Sequence, residues 1–274
     1  ELNGKGQAVG RPLVVGGVLQ GALPNLGSRP LMLVHGLGDT IRADSRWTDL
    51  AQRFLNNGVA SGVVAFEYDT QDSCANNGAF LRQYYSLLGA QKQWRHLAHS
   101  MGCVVSRCGF ESGNLPIQAS SNKAFFLSGP HIGSPAISVL QGSLTLSQRV
   151  FRYMVLNGFL TFENVDGSSC DVDTQRAGFS DLRSDSPLLR QLNNGAAGRH
   201  PQLDYATLGG NRRGFSYWFL DYMMGITLDD GLVNLPSANF TGMGSLQSNT
   251  APVDHSEAIT ESSSLNQATN FLLP

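Results

Sequence analysis

Charge is what this sequence has least of. Only 15% of its 274 residues are Asp, Glu, Lys or Arg, against about a quarter in an average globular chain. Lysine is nearly absent: Lys5, Lys92 and Lys123 are the only ones. The formal net charge is −2 and no block of like charges stands out, so nothing points to a nucleic-acid partner, which needs a basic stripe. No apolar run approaches the ~20 residues that span a bilayer, so no transmembrane segment is expected. Cysteine is sparse too, at Cys74, Cys103, Cys108 and Cys170. Cys103 and Cys108 share one predicted helix, face different ways and lie too far apart to bridge. A Cys74–Cys170 disulfide and four free thiols both stay open. The cysteine spacing suggests no metal site. Repeats and low-complexity segments are missing, and 41% apolar content over 274 residues fits one large domain, 1–274. The shortage of lysine, the wealth of Gly, Ser and Asn, and a start at Glu1 rather than Met fit an exported chain whose leader has been removed. A secreted or periplasmic location is the expectation.

What is present is an alternation. Residues 1–30 read as a Gly- and Pro-rich loop with one short strand at Leu13–Val18. Leu31–Val34 is a continuous apolar run suited to a strand buried on both faces. Ser45 can cap a helix that carries Trp47, Leu50, Ala51, Phe54 and Leu55 at helical spacing and stops at Asn57-Gly58. A strand over Val63–Tyr68, a helix over Phe80–Leu88, a strand up to Ala98 with a helix behind it, and a strand over Lys123–Ser128 follow. This order predicts an α/β fold: a mostly parallel central sheet, helices on both faces, and a site at the strands' C-terminal ends. The rhythm breaks between Pro135 and His200, where Leu140, Leu144, Leu146, Val150, Phe151, Met154 and Val155 suggest apolar helices. Segment 136–200 reads as a helical cap over the site, with a plain excursion at the edge of the core as the alternative. The sheet resumes at Leu203–Leu208. Phe215–Ile226, rich in aromatics and Met, would line an apolar ligand pocket or form a buried helix.

One stretch organises the chemistry. Trp94-Arg95-His96-Leu97-Ala98-His99-Ser100-Met101-Gly102-Cys103-Val104-Val105 is a strand turning sharply into a helix with a serine at the apex. Ala98 and Gly102 leave room for a strained turn, and backbone N–H groups at the following helix start can meet developing negative charge. The string resembles the nucleophile elbow of α/β-hydrolases, Gly-x-Ser-x-Gly, with Ala98 for the first Gly, as in some bacterial lipases. Five residues alone would equally fit an ordinary serine at a helix start. The partners, in chain order, favour the elbow.

A serine hydroxyl needs a base, and the base needs an orienting group. Of six histidines, His255 lies late, in Pro252-Val253-Asp254-His255-Ser256-Glu257, just before the last helical pattern, where the resemblance puts the base. His99 is expected to point away from the reacting face and His35 to shape a loop. Asp229-Asp230-Gly231-Leu232-Val233 resembles the segment that carries the acid in bacterial lipases. The match selects Asp230 over Asp229, with Asp254 a weaker rival and an ordinary Asp-Gly turn the bland reading. His35-Gly36-Leu37-Gly38 resembles the lipase His-Gly loop. The resemblance then implies an oxyanion hole from the N–H groups of Leu37 and Met101. Ser128-Gly129-Pro130-His131-Ile132-Gly133-Ser134 resembles a lipase segment expected to frame the pocket.

The α/β-hydrolase resemblance therefore implies a serine hydrolase of carboxylic esters, lipids foremost, with Ser100, Asp230 and His255 catalytic. Phospholipase, thioesterase or acyltransferase chemistry would use the same residues, and a binding module that has lost its chemistry is the remaining alternative. The expected partners are an ester substrate and a transient lipid interface. No cofactor and no metal are expected: Ser256-Glu257 replaces the Leu-Asp that often follows the histidine in calcium-binding bacterial lipases.

Overall fold

The computed structural model describes residues 25–39, 44–89, 91–111, 121–141, 174–194, 200–212, 229–240 and 247–274, the stretches 2–3, 13–15 and 18–20, and residues 41, 117 and 242. Its strands are β1 (Leu2–Asn3), β2 (Leu13–Val15), β3 (Val18–Gln20), β4 (Pro30–Val34), β5 (Gly62–Phe66), β6 (Arg95–His99), β7 (Asn122–Leu127), β8 (Leu203–Gly210) and β9 (Gln247–Ala251). Its helices are α1 (Ser45–Asn56), α2 (Cys74–Leu88), α3 (Met101–Glu111), α4 (Pro135–Gln141), α5 (Ala177–Asp181), α6 (Pro187–Asn193), α7 (Leu235–Ala238) and α8 (Ser262–Leu272).

Seven strands form one sheet in the order β1-β5-β4-β6-β7-β8-β9. Every neighbouring pair is parallel except β1 with β5. Strands β2 and β3 form a separate antiparallel pair where a single strand was expected. The apolar runs alternate their side chains between two cores, as the two-residue period of a strand requires. Met32, Val34, Ala98, Ala124, Phe126 and Tyr205 pack with residues of α2, α3, α5 and α6. Leu31, Leu33, Leu97, Phe125, Leu127, Ala206 and Leu208 pack with residues of α1 and α8. Each fully buried large side chain contributes about 1.5–3 kcal/mol.

Local chemistry sets the helix ends. Helix α1 buries Trp47, Leu50, Ala51, Phe54 and Leu55, the expected face. Its N-cap is Asp44, not Ser45: the Asp44 carboxylate accepts from the Arg46 N–H at 2.9 Å. Helix α2 starts at Cys74, well before Phe80, because Ser73 Oγ caps it by accepting from Asn76 N–H at 3.1 Å. Asn76, Asn77 and Gly78 are poor helix formers, which hid that first turn in the sequence. Strand β9 was also not read. It is a polar edge strand whose first four residues lie at least partly in solvent, so it has no apolar alternation to detect. At the start of the central strands β6 and β7, the last carbonyls of the C-terminal helix receive charge: Arg95 Nε donates to Leu272 and Lys123 Nζ to Leu273. Cations there complement the helix dipole.

Of the predicted cap, α4, α5 and α6 are described, and Phe179, Leu182, Leu189 and Leu192 belong to the core under α2 and α3. Residues 142–173 and 195–199 lie outside the described residues, and so do Phe215–Ile226 and Cys170. Cys74, Cys103 and Cys108 are buried. Burial pushes Cys74 and Cys103 well above the ordinary thiol range and Cys108 up to about 12. Among the described residues no helix is long and apolar enough to cross a membrane.

Candidate active site

Strand β6 ends at His99 and α3 begins at Met101, leaving Ser100 alone to reverse the chain. It does so at φ +55°, a left-handed conformation that costs an ordinary residue about 1–2 kcal/mol. Hydrogen bonds hold it there. Ser100 N–H donates to Leu127 O at 2.9 Å, and Ser100 O accepts from Cys103 N–H at 3.0 Å. The small neighbours are needed for space. A Cβ on Gly102 would lie 2.4 Å from His35 O, so only glycine lets α3 start this close to β4. A Cβ on Gly36 would lie 2.9 Å from Ser100 Cβ. The loop after β4 and the turn after β6 therefore touch. These two strands flank the point where the chain, having gone from β4 outward to β5, returns to the other side of β4. A crevice at such a switch point is where open α/β sheets place their sites.

His255 reaches the same point from the far end of the sequence. Its Nε2 is 2.8 Å from Ser100 Oγ, and its Nδ1 is 2.9 Å from Asp230 Oδ2. A carboxylate can only accept, so Nδ1 carries the proton and Nε2 presents its lone pair to the serine hydroxyl. The main chains are tied as well, His255 N–H donating to Asp230 O at 2.8 Å. Asp230 is fully buried, and burial alone would raise its pKa. The adjacent His255, its hydrogen bond and the N–H groups of Val233 and Leu232 outweigh that and hold the carboxyl below the usual range.

The two rival acids have other tasks. Asp229 Oδ2 accepts from Leu235 N–H at 2.7 Å at the start of α7. Asp254 accepts from Glu257 N–H at 2.9 Å, while Glu257 returns a carboxylate to Asp254 N–H at 3.0 Å. That reciprocal pair is a capping box around the turn Glu257–Ile259, and Arg212 pairs with Glu257 outside it. The pattern Asp254-x-x-Glu257 was legible in the sequence and marks the loop that carries His255.

The remaining site residues are positioned by the same loops. Met101 is the first residue of α3, directly behind Ser100. Leu37 follows Gly36 and packs against the α2/α3 core. The loop around it is pinned on both sides: Gly38 N–H donates to Thr70 Oγ1 at 3.2 Å, and Trp47 Nε1 donates to Asp39 at 2.9 Å. His35 shapes this loop, as expected. Its ring stacks on Tyr68, whose hydroxyl donates to His35 O at 2.8 Å. Segment 128–134 braces the acid: Ser134 Oγ donates to Leu232 O at 2.6 Å, and Ser237 Oγ donates to Gly133 O at 2.8 Å.

His99 differs from expectation. Its ring turns toward His255, with centroids 4.8 Å apart, and its Nε2 is 2.8 Å from His255 O. A signal was available: in a strand, His99 shares the face of Leu97, which is the face covered by α1 and α8. Among the described residues no group of three or more His, Cys, Asp or Glu could hold a metal ion.

No protein-family model and no curated protein matches the chain. Solved structures do. The mature form of lipase BlEst2 from Bacillus licheniformis superposes with a TM-score of 0.61 at 18% identity, over 89% of this chain and 92% of that one. Its propeptide form gives 0.63 at 17%, over 89% of this chain, which spans only 50% of that longer one. The metagenomic carboxyl esterase MGS0156 gives 0.55 at 18%, over 97% and 80% of the two chains. This is the α/β-hydrolase fold. Within it Ser100 after β6, Asp230 after β8 and His255 before α8 meet beyond the C-terminal ends of the strands.

Proposed function

We propose that this α/β-hydrolase-fold protein is a serine hydrolase of carboxylic esters, with lipid esters as its main substrates. The observation that carries the reading is a strained serine whose Oγ meets His255 Nε2 at 2.8 Å, while Asp230 holds the opposite ring nitrogen at 2.9 Å. Ser100 Oγ attacks the ester carbonyl and its proton passes to His255 Nε2. Asp230 keeps the imidazole in the right tautomer and stabilises the imidazolium. The N–H groups of Leu37 and Met101 receive the oxyanion. His255 then protonates the departing alcohol, an acyl-enzyme forms on Ser100, and water activated by His255 releases the acid.

Lipases and esterases among the fold neighbours support an ester substrate. A phospholipase from Legionella pneumophila, at a TM-score of 0.53 and 16% identity, supports a phospholipid as the alternative ester. In this reading the described parts of segment 136–200, α4 to α6, belong to a cap packed on α2 and α3, and lipid contact is transient. The test is a fluorophosphonate adduct on Ser100, read as a mass shift, beside hydrolysis of esters of rising chain length below and above their solubility limits. Ser100→Ala should lose the adduct and at least about 10³-fold of the activity. A rate jump with long chains above the solubility limit identifies a lipase, and simple saturation with short chains an esterase. Full activity in Ser100→Ala overturns the proposal.

A further inference from the structure

We propose that His99 is a positioning residue for His255: its Nε2–H grips the His255 main-chain carbonyl and so sets the imidazole against Ser100. The inference rests on the hydrolase reading of this site and adds a fourth residue to it.

The hydrogen-bond chemistry leaves one arrangement. The partner of His99 Nε2 is a carbonyl oxygen, 2.8 Å away, which can only accept. Nε2 therefore carries the proton, and in a neutral ring Nδ1 is then a bare lone pair. Among the described residues Nδ1 is buried without a hydrogen-bond partner. An unpaired buried nitrogen is a cost that an apolar residue in this niche would not carry. What a histidine delivers that a leucine cannot is the single bond to His255.

That bond completes a frame. His255 N–H is held by Asp230 O at 2.8 Å, and its carbonyl is held by His99. Its ring is held by Asp230 at Nδ1 and meets Ser100 at Nε2. His99 is the last residue of β6 and immediately precedes Ser100, so the nucleophile and the brace move as one piece of backbone. Trp47 of α1 closes the other side of the His99 ring, edge-on at 6.5 Å.

The charge state fits the same role. The groups facing His99 are His255, Asp230 and Arg46 of α1; burial first, then the neighbouring His255, push His99 down to about 3. A ring 4.8 Å from His255 must stay neutral, or it would repel the imidazolium that forms there during the reaction.

Three variants separate positioning from folding. His99→Gln keeps an N–H donor at similar reach. His99→Asn keeps polarity but is too short, and His99→Leu keeps bulk without a donor. Turnover is counted per Ser100 titrated with fluorophosphonate, KM is read alongside, and the downfield proton resonance of the His255–Asp230 bond is recorded in each. His99→Asn and His99→Leu should lower kcat by about 10–100-fold with KM within about twofold, as expected for a misplaced catalytic group. Their downfield resonance should broaden by exchange with water. His99→Gln should recover to within about fivefold of the parent and keep the resonance. Equal kcat in the Gln and Asn variants, or parental kcat and resonance in either Asn or Leu, overturns the proposal. A parent that takes no fluorophosphonate label defeats the hydrolase reading instead. The resonance in Gln against Asn then still decides whether His99 positions His255.

Discussion

At the scale of the residue, the candidate site depends on a few atoms that are not there. Gly36 lies so close to Ser100 that one methyl group would overlap its Cβ at 2.9 Å and press on His99 Nδ1 at 3.3 Å. Gly36→Ala should lower ester hydrolysis by more than about tenfold, because the Ser100 Cβ that must give way carries the reacting oxygen. Activity against melting temperature for that variant is the check, and parental activity would contradict the geometry. Asp230→Asn should leave the loop in place but present an amide to Nδ1. The amide no longer enforces the tautomer, and kcat should fall by about 10³–10⁴-fold with fluorophosphonate labelling slowed in proportion.

At the scale of the element, two pieces of backbone hold these residues in register. The loop before α8 is closed by the Asp254–Glu257 box. Glu257→Ala should cost about 1 kcal/mol, as lost caps do, and should lower kcat as the His255 loop loosens. Urea unfolding and steady-state kinetics measure the two effects. Helix α3, which begins behind Ser100, is anchored at its far end by a buried bidentate pair, Arg107 to Glu111 at 2.8 and 2.9 Å. Arg107 also donates to Asn193 Oδ1 at 2.9 Å, and Asn193 donates to His131 O at 2.9 Å, so α6 and segment 128–134 hang on the same guanidinium. Glu111→Ala would strand that buried charge. A loss of about 3–5 kcal/mol is expected, read as a drop in the urea midpoint.

At the scale of the whole molecule, acid stability is the telling property. Burial holds His96 and His99 down to about 3 and His131 well below the ordinary histidine range. His96 shows why it stays neutral. Ser106 Oγ gives its proton to Gly102 O, so His96 Nε2 must donate to that oxygen while Nδ1 accepts from the Tyr85 hydroxyl. In the unfolded chain each of these rings takes a proton below about pH 6.5; in the folded chain none does until far lower. Their contribution is complete above about pH 6.5 and falls as pH drops towards 3, by up to about 1.4 kcal/mol per pH unit for each ring. Asp230, held low in the fold, adds its own loss below about pH 4. The melting temperature should therefore decline already between pH 7 and 5, where carboxylates alone would leave it flat. A flat profile over that range would mean that the buried rings protonate in place.

The layers and the order of the candidate residues were legible in local sequence pattern. Continuous apolar runs such as Leu31–Val34 can only be strands covered on both sides, and Trp47, Leu50, Phe54 at helical spacing can only be a one-faced helix. The crossing from strand to helix at Ser100 was legible because Ala98 and Gly102 are small where a tight turn demands it. Local pattern carried less at the edges: β9 is polar because one side of it is solvent, and α2 began in weak helix formers under the cap of Ser73. Which of Asp229, Asp230 and Asp254 meets His255 was suggested by a motif, but the distances belong to the fold, since a carboxylate 25 residues from its histidine is placed by how two loops meet beyond the C-terminal ends of the strands. The direction of the His99 ring was decided there as well. A strand states only which face a side chain takes; what waits on that face, here the carbonyl of a residue 156 positions away, exists only after the sheet has assembled and α8 has docked.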